Sequence, residues 1–281
     1  MKNRAFFFLK HGFLDSYKPF LFELAKHRKE VLQVMPISPK FAAVYVTHNC
    51  NSRCITCNMW GSQSSNELTT AELQDILTQL KDIGIVSVSF SGGEPLLRDD
   101  LPQIVDKAHQ LKFDNIPLCT NGLLLTREKA ENLIQKGLTS IQVSINGVGE
   151  THDFTRGIKG AYQKSMTTLE ELVGLRDSKY PELDLGIGAI MTKPTIEEII
   201  PLADLARRLT VALSFQLVDN SSVPFQGIDM TRLGIEEQDK VDELIDELHK
   251  LKRVNSALRF DSHISLEYAR KYFIDPKRED I

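Results

Sequence analysis

Thr47-His48-Asn49-Cys50-Asn51-Ser52-Arg53-Cys54-Ile55-Thr56-Cys57 follows directly on the apolar run Phe41 to Val46, which reads as a β-strand. The whole chain of 281 residues has only four cysteines, so three of them at CxxxCxxC spacing is a signal rather than background. Three thiolates so placed suit an iron-sulfur cluster. A 4Fe-4S cubane normally takes four cysteine ligands, one per iron, so Cys50, Cys54 and Cys57 leave one iron open to a ligand that is not protein. The competing reading is structural zinc, with His48 as the fourth ligand of a tetrahedral site.

Downstream, Val86-Ser87-Val88-Ser89-Phe90 reads as a second strand and runs into Ser91-Gly92-Gly93-Glu94-Pro95. Gly92 and Gly93 permit a close approach of backbone, and the Glu94 carboxylate offers an acceptor to an ammonium group. With CxxxCxxC behind one strand and Gly-Gly-Glu behind the next, the chain resembles the radical S-adenosylmethionine superfamily. The resemblance implies a 4Fe-4S cluster held by Cys50, Cys54 and Cys57 and S-adenosylmethionine as cosubstrate, its methionyl amine and carboxylate chelating the open iron. It implies reductive cleavage to methionine and a 5′-deoxyadenosyl radical, which abstracts hydrogen from a second substrate. Gly92, Gly93 and Glu94 would bind the methionyl amine.

Further matches follow strand by strand. Asn121 lies in Thr120-Asn121-Gly122, which resembles the family's turn near the cosubstrate. Ser144-Ile145-Asn146-Gly147, His152-Asp153 and Arg156-Gly157 resemble a pattern in which Ser144 and Asn146 approach the ribose and Arg156 pairs with the methionyl carboxylate. Asn146 stands where relatives carry an acid; it hydrogen-bonds a hydroxyl but brings no charge. Met191-Thr192 resembles the segment that meets adenine through its backbone. Thr56 departs from the aromatic residue that often precedes the third cysteine, and Trp60 either replaces that contact or simply packs. Cys119 ends an apolar strand; it is expected to be a buried small hydrophobe, with a hydrogen donor facing the active site as the alternative.

Strands and helices alternate six times. The spacing predicts strands over 41–46, 85–90, 115–119, 139–145, 183–191 and 212–218. Between them apolar residues recur at intervals of three and four, as in Leu73, Ile76, Leu77, Leu80 and in Leu101, Ile104, Val105, Ala108. Thr69 with Glu72 and Thr195 with Glu198 read as capping boxes, Gly84 and Gly137 as helix stops, and a last helix is predicted over 236–253. Such βα repeats form either an open parallel sheet or a barrel, and motifs falling after several different strands favour a barrel. The fold class is therefore α/β, and the resemblance implies a partial (β/α)6 TIM-like barrel. Two regions are expected: an N-terminal helical extension over residues 1–40, and the barrel with its C-terminal helices over residues 41–281.

With 42% apolar and 26% charged residues the chain can bury a large single core. A net charge of −4 leaves no electrostatic footprint for nucleic acid. Residues 1–40 carry six of the fourteen phenylalanines; a helix covering the barrel is the first reading, and membrane association through that segment the second. Its apolar run is broken at Lys10 and His11, which argues against a signal peptide or a membrane span. Clustered cysteines with only Cys119 elsewhere do not form a disulfide framework, which places the chain in a reducing cytoplasm. The motifs most resemble the branch of molybdenum-cofactor cyclases, haem-pathway enzymes and peptide maturases. Many members of that branch carry a cysteine-rich auxiliary-cluster domain, and no cysteine follows Cys119 here. The expectation is a single-cluster enzyme, or a truncated form of a multi-cluster peptide-modifying one, acting on a small molecule or peptide and reduced by a donor such as flavodoxin or ferredoxin. A catalytically silent iron-sulfur scaffold is the alternative from another class.

Overall fold

The computed structural model describes residues 39–61, 66–217, 230–235, 237–254, 266–267 and 269–271, and the architecture below is that of the unit Phe41–Ile281. The helical extension expected over 1–40 and the seventh residue of the last expected strand, Val218, lie outside the described residues, apart from positions 39 and 40.

Six strands form one parallel sheet in chain order. They are β1 (Phe41–Tyr45), β2 (Ser87–Ser91), β3 (Pro117–Thr120), β4 (Ser140–Ser144), β5 (Asp184–Met191) and β6 (Ala212–Leu217). The helices between them are α1 (Thr70–Asp82), α2 (Leu101–Gln110), α3 (Arg127–Gln135), α4 (Glu150–Arg156), α5 (Ala161–Ser178) and α6 (Ile199–Leu209), with α7 (Gln238–Val254) following the sheet. Consecutive order with a crossover between each pair is the topology of a half-barrel. The expected α/β partial barrel is thus the observed one, as are all six strands to within a few residues.

Burial alternates along the strands because successive side chains point to opposite faces. Val88 and Phe90, Leu118, Ile141 and Val143, Leu185 and Ile187, and Leu213 are all buried in the core. Helices α5 and α6 contribute Leu169, Leu172, Leu202 and Ala206 to that core and rest on β4, β5 and β6. The other face is polar and smaller: Cys119 Sγ donates to Gln142 Oε1 at 3.4 Å, and Gln142 Nε2 donates in turn to Ser214 Oγ. Bulky branched residues fill the interior of a closed barrel, whereas this polar lining leaves the concave side open.

Local signals set the helix ends. Thr69 Oγ1 accepts from Glu72 N while the Glu72 carboxylate accepts from Thr69 N, so the expected capping box forms at the start of α1. Gly84 and Gly137 take positive φ just after α1 and α3 and end them as expected. The second expected box does not form. Thr195 Oγ1 accepts from Thr192 N at 2.9 Å and donates to Ile190 O at 2.7 Å, closing its own turn. Glu198 reaches across to Val148 N at 2.9 Å and Thr151 Oγ1 at 3.0 Å, so a tertiary contact outcompetes the local cap.

Candidate active site

The C-terminal ends of the strands surround a cavity of about 650 Å³. Tyr45 ends β1, Ser91 β2, Thr120 β3, Ser144 β4, Met191 β5 and Leu217 β6, and all of them line it. Cys50, Cys54 and Cys57 enter from the loop after β1, and Gly92, Gly93 and Glu94 from the turn after β2. Asn121 and Arg156 complete the set. Nine of the ten residues singled out in the sequence therefore share one cavity wall. The tenth, Asn146, is buried behind it: its Oδ1 accepts from Ile190 N at 3.2 Å, tying the end of β4 to β5.

The cluster loop is fixed by backbone bonds on both sides. Gly93 N donates to Thr47 O at 2.8 Å and Glu94 N to Asn49 O at 2.8 Å. On the other side Arg53 N donates to Arg156 O at 2.9 Å and Ile55 N to Thr155 O at 3.0 Å. The glycines of the Gly92-Gly93 turn make the first contact possible. A Cβ at Gly92, whose φ is +141°, would lie 2.3 Å from Thr47 O, and one at Gly93 would lie 2.1 Å from Asn49 O. The close approach that these glycines permit is to the cysteine loop itself.

Glu94 is almost fully buried, and burial pushes its carboxyl above the ordinary range against the pull of its donors. Oε1 accepts from Leu96 N at 3.2 Å and Thr120 Oγ1 at 2.8 Å, and Oε2 accepts from Asn121 N at 2.8 Å. One lone pair of Oε2 stays free of these bonds, which suits an ammonium ligand. Burial likewise raises the Cys50 and Cys57 thiols, while Ser52 N and Met59 N each donate to one of those sulfurs at 3.4 Å and oppose the shift. Such N–H groups stabilise a thiolate once metal replaces the proton.

Arg156 donates from Nη2 to Ser144 O at 2.7 Å and from Nη1 to Cys54 Sγ at 3.4 Å, and its Nε is buried without an acceptor. Arg156 lines the cavity, and a guanidinium is suited to a carboxylate. Behind it His152 is fully buried; Nδ1 accepts from Asn146 N at 3.0 Å, so the ring proton sits on Nε2. Burial first, and the Arg156 charge second, lower its pKa to about 3. His152 thus holds the turn after β4 as a neutral ring.

Among the described residues no three His, Cys, Asp or Glu side chains converge as a site for a single metal ion, and His48 is exposed with its backbone N–H on Glu67. A cubane takes one thiolate per iron, and Cys50, Cys54 and Cys57 all line the one cavity that would hold it. Cys119 departs from the expectation of a core residue: it is half-buried on the cavity wall, with Ser89 Oγ 3.8 Å from its sulfur.

Several wall residues escape the sequence motifs, among them Met59, Phe215 and Gln216. Position at the end of β6 is the signal that finds Phe215 and Gln216, since ligands in such barrels sit over the C-terminal strand ends.

Residues 44–206, more than half of the chain, match the family model described as the Radical SAM superfamily. The chain belongs to that superfamily, a family of enzymes that work with a 4Fe-4S cluster and S-adenosylmethionine. It is 32% identical over 162 residues to Fe-coproporphyrin III synthase of Methanosarcina barkeri, covering 57% of this chain and 39% of that protein. It is 32% identical over 183 residues to PqqA peptide cyclase of Bradyrhizobium diazoefficiens, covering 62% of this chain and 46% of that protein. The chain thus spans less than half the length of these two relatives. In fold it is similar to Streptococcus suis SuiB bound to S-adenosylmethionine, with a TM-score of 0.67 at 19% identity over 92% of this chain and 62% of that one. Among the described residues no helix is long and apolar enough to cross a membrane.

Proposed function

We propose that this chain cleaves S-adenosylmethionine reductively and uses the resulting carbon radical to abstract hydrogen from a second substrate. The observation that carries the reading is the docking of the Gly92-Gly93-Glu94 turn onto the loop of Cys50, Cys54 and Cys57 around one cavity. When bound, the 4Fe-4S cluster and S-adenosylmethionine supply the electron and the cleavable sulfonium. Cys50, Cys54 and Cys57 hold the cluster. The free lone pair of Glu94 takes the methionyl ammonium, the Arg156 guanidinium takes the methionyl carboxylate, and Ser144 sits beside it for the ribose. Asn146 acts from the second row by fixing β4 to β5, and Asn121 by bracing the cysteine loop.

The substrate is a peptide or a small molecule. One relative is a peptide cyclase and another an Fe-coproporphyrin III synthase, which supports both substrate classes. The electron comes from a donor of the flavodoxin or ferredoxin kind. Nucleic acid is not a partner in this reading, because the net charge is negative, and membrane association is not the favoured reading. Four cysteines that read as no disulfide framework, and a cluster that oxygen destroys, support a cytoplasmic location.

The test is anaerobic reconstitution with iron and sulfide, reduction, addition of S-adenosylmethionine and mass spectrometry of the products. 5′-Deoxyadenosine and methionine should form, and should vanish together in Cys50→Ala, Cys54→Ala and Cys57→Ala. A full cluster that yields neither product overturns the reading in favour of a silent scaffold.

A further inference from the structure

The cysteine loop carries two exposed side chains that bond to the main chain of the cluster-binding cysteines, and one of them, Trp60, stands at the edge of the cavity it also lines. Arg53 donates from Nη1 to Cys50 O at 3.3 Å and to Ser52 O at 2.9 Å. Trp60, 37% exposed, donates from Nε1 to Cys54 O at 3.2 Å. The Arg53 guanidinium lies 5.3 Å from the Trp60 ring centroid, a cation–π pair at the surface. Each of these side chains is one hydrogen bond from the backbone of a residue assigned to the cluster.

The charge around this pair is one-sided. Residues 47–61 contain no Asp or Glu, and Arg53 makes no ion pair among the described residues. Residues 154–161, which dock on the loop through Arg156 O and Thr155 O, also contain no carboxylate. They add exposed Phe154 and exposed Lys159. Asp153, next in line, has both oxygens occupied by the backbone N–H groups of Gly160 and Tyr162. Every charged side chain within residues 47–61 and 154–161 is thus basic, on a chain of net charge −4. Arg53 is already held in place, so little side-chain entropy is lost when an acid pairs with it.

We propose that Arg53, Trp60, Phe154 and Lys159 form the docking surface for an acidic one-electron carrier protein, resting on the function proposed above. Carboxylates of the carrier meet Arg53 and Lys159, and its redox group seats against Trp60. One electron leaves the carrier and is taken up at the cluster; no bond forms or breaks and no proton moves. Tunnelling decays steeply with distance, and Arg53 and Trp60 each lie one hydrogen bond from the main chain of a cluster cysteine, Cys50 and Cys54.

The experiment follows reduction of the reconstituted cluster by stopped-flow absorbance with two reductants: reduced flavodoxin as the acidic protein probe, and photoreduced deazariboflavin as a small neutral one. Arg53→Glu should slow reduction by flavodoxin about tenfold or more at low ionic strength, as expected for lost electrostatic steering. The deficit should shrink as salt screens the contact. Reduction by deazariboflavin and iron content should stay within twofold of wild type in Lys159→Glu; Arg53→Glu, which also removes the bonds to Cys50 O and Ser52 O, is compared at equal iron content. Lys159→Glu, which touches no cysteine backbone, should show the same selective loss and guards against a simple disturbance of the loop. Equal slowing with both reductants, or no slowing with flavodoxin in either variant, overturns the docking surface. Absence of any reducible cluster in the wild-type protein overturns the proposed function instead.

Discussion

Asn121 donates from Nδ2 to Asn51 Oδ1 at 2.7 Å and to Ser52 Oγ at 3.1 Å, joining the turn after β3 to the cysteine loop across some seventy residues of sequence. Both amide hydrogens are used inside the protein. Its Oδ1 accepts from Leu123 N at 2.9 Å, its N–H donates to Glu94, and its carbonyl accepts from Ser165 Oγ at 2.8 Å. One residue thus braces the cysteine loop, the Gly92-Gly93-Glu94 turn and α5 together.

Asn121→Asp keeps the acceptor and removes both donors, and it turns a carboxylate toward Asn51 Oδ1. Stability should fall by about 2–3 kcal/mol, the cost of leaving buried partners unmatched, read from the denaturant midpoint. Iron retained per chain without S-adenosylmethionine should fall by at least half. If iron stays full and only affinity for S-adenosylmethionine drops, Asn121 is a ligand of the cosubstrate and not a brace.

Gly93→Ala should do the same damage from the opposite side. The added Cβ, 2.1 Å from Asn49 O, forces apart two backbone bonds that seat the turn on the loop. A loss of about 3 kcal/mol is expected, at the upper end for overpacking, with no cluster assembled. Gly174→Ala supplies the contrast. That glycine lies inside α5 with nothing within 4 Å of the new methyl, so stability should rise by up to about 1 kcal/mol at full iron content.

Cys119 shares the cavity with the three loop cysteines but hangs on Gln142 and Ser89 at the strand level. Cys119→Ala should therefore retain full iron by colorimetric assay, whereas alanine at Cys50, Cys54 or Cys57 should not. Iron loss in Cys119→Ala equal to theirs would place the fourth thiol among the ligands.

Legibility in the sequence followed the range of the interaction. The strands were visible because burial on one face imposes a period of two, and Thr69 with Glu72 because a capping box is local. Thr195 and Glu198 show the same letters, yet Glu198 finds Val148 and Thr151 some fifty residues away, which no window could reveal. The third strand was placed two residues early, because Asn115 turns its side chain to Thr139 Oγ1 instead of joining the ladder in full. Motif residues that line the cavity were readable as motifs. Asn51 and Ser52 act by holding Asn121, some seventy residues away, and nothing in their own letters marks them; His152 was legible as part of a pattern but not as the ring that accepts from Asn146 N.

His152 gives the structure a pH dependence whose sign is fixed by its burial. Its pKa is lowered to about 3, below the 6.5 of a free imidazole, so the folded chain refuses a proton that the unfolded chain accepts. Between pH 6.5 and pH 3 the unfolded state binds more protons, and stability falls as the pH falls; above pH 6.5 both states are neutral and the effect is absent. The slope is about 1.4 kcal/mol per pH unit, or about 2 kcal/mol between pH 7 and pH 5. His152→Gln keeps an acceptor for Asn146 N without a titrating ring. Denaturant midpoints measured from pH 7 to pH 4 should therefore fall less steeply in the variant, by about that slope, even if the variant starts less stable. Parallel curves would mean that the ring is protonated in the folded chain, and that the bond from Asn146 N to Nδ1 is not its resting state.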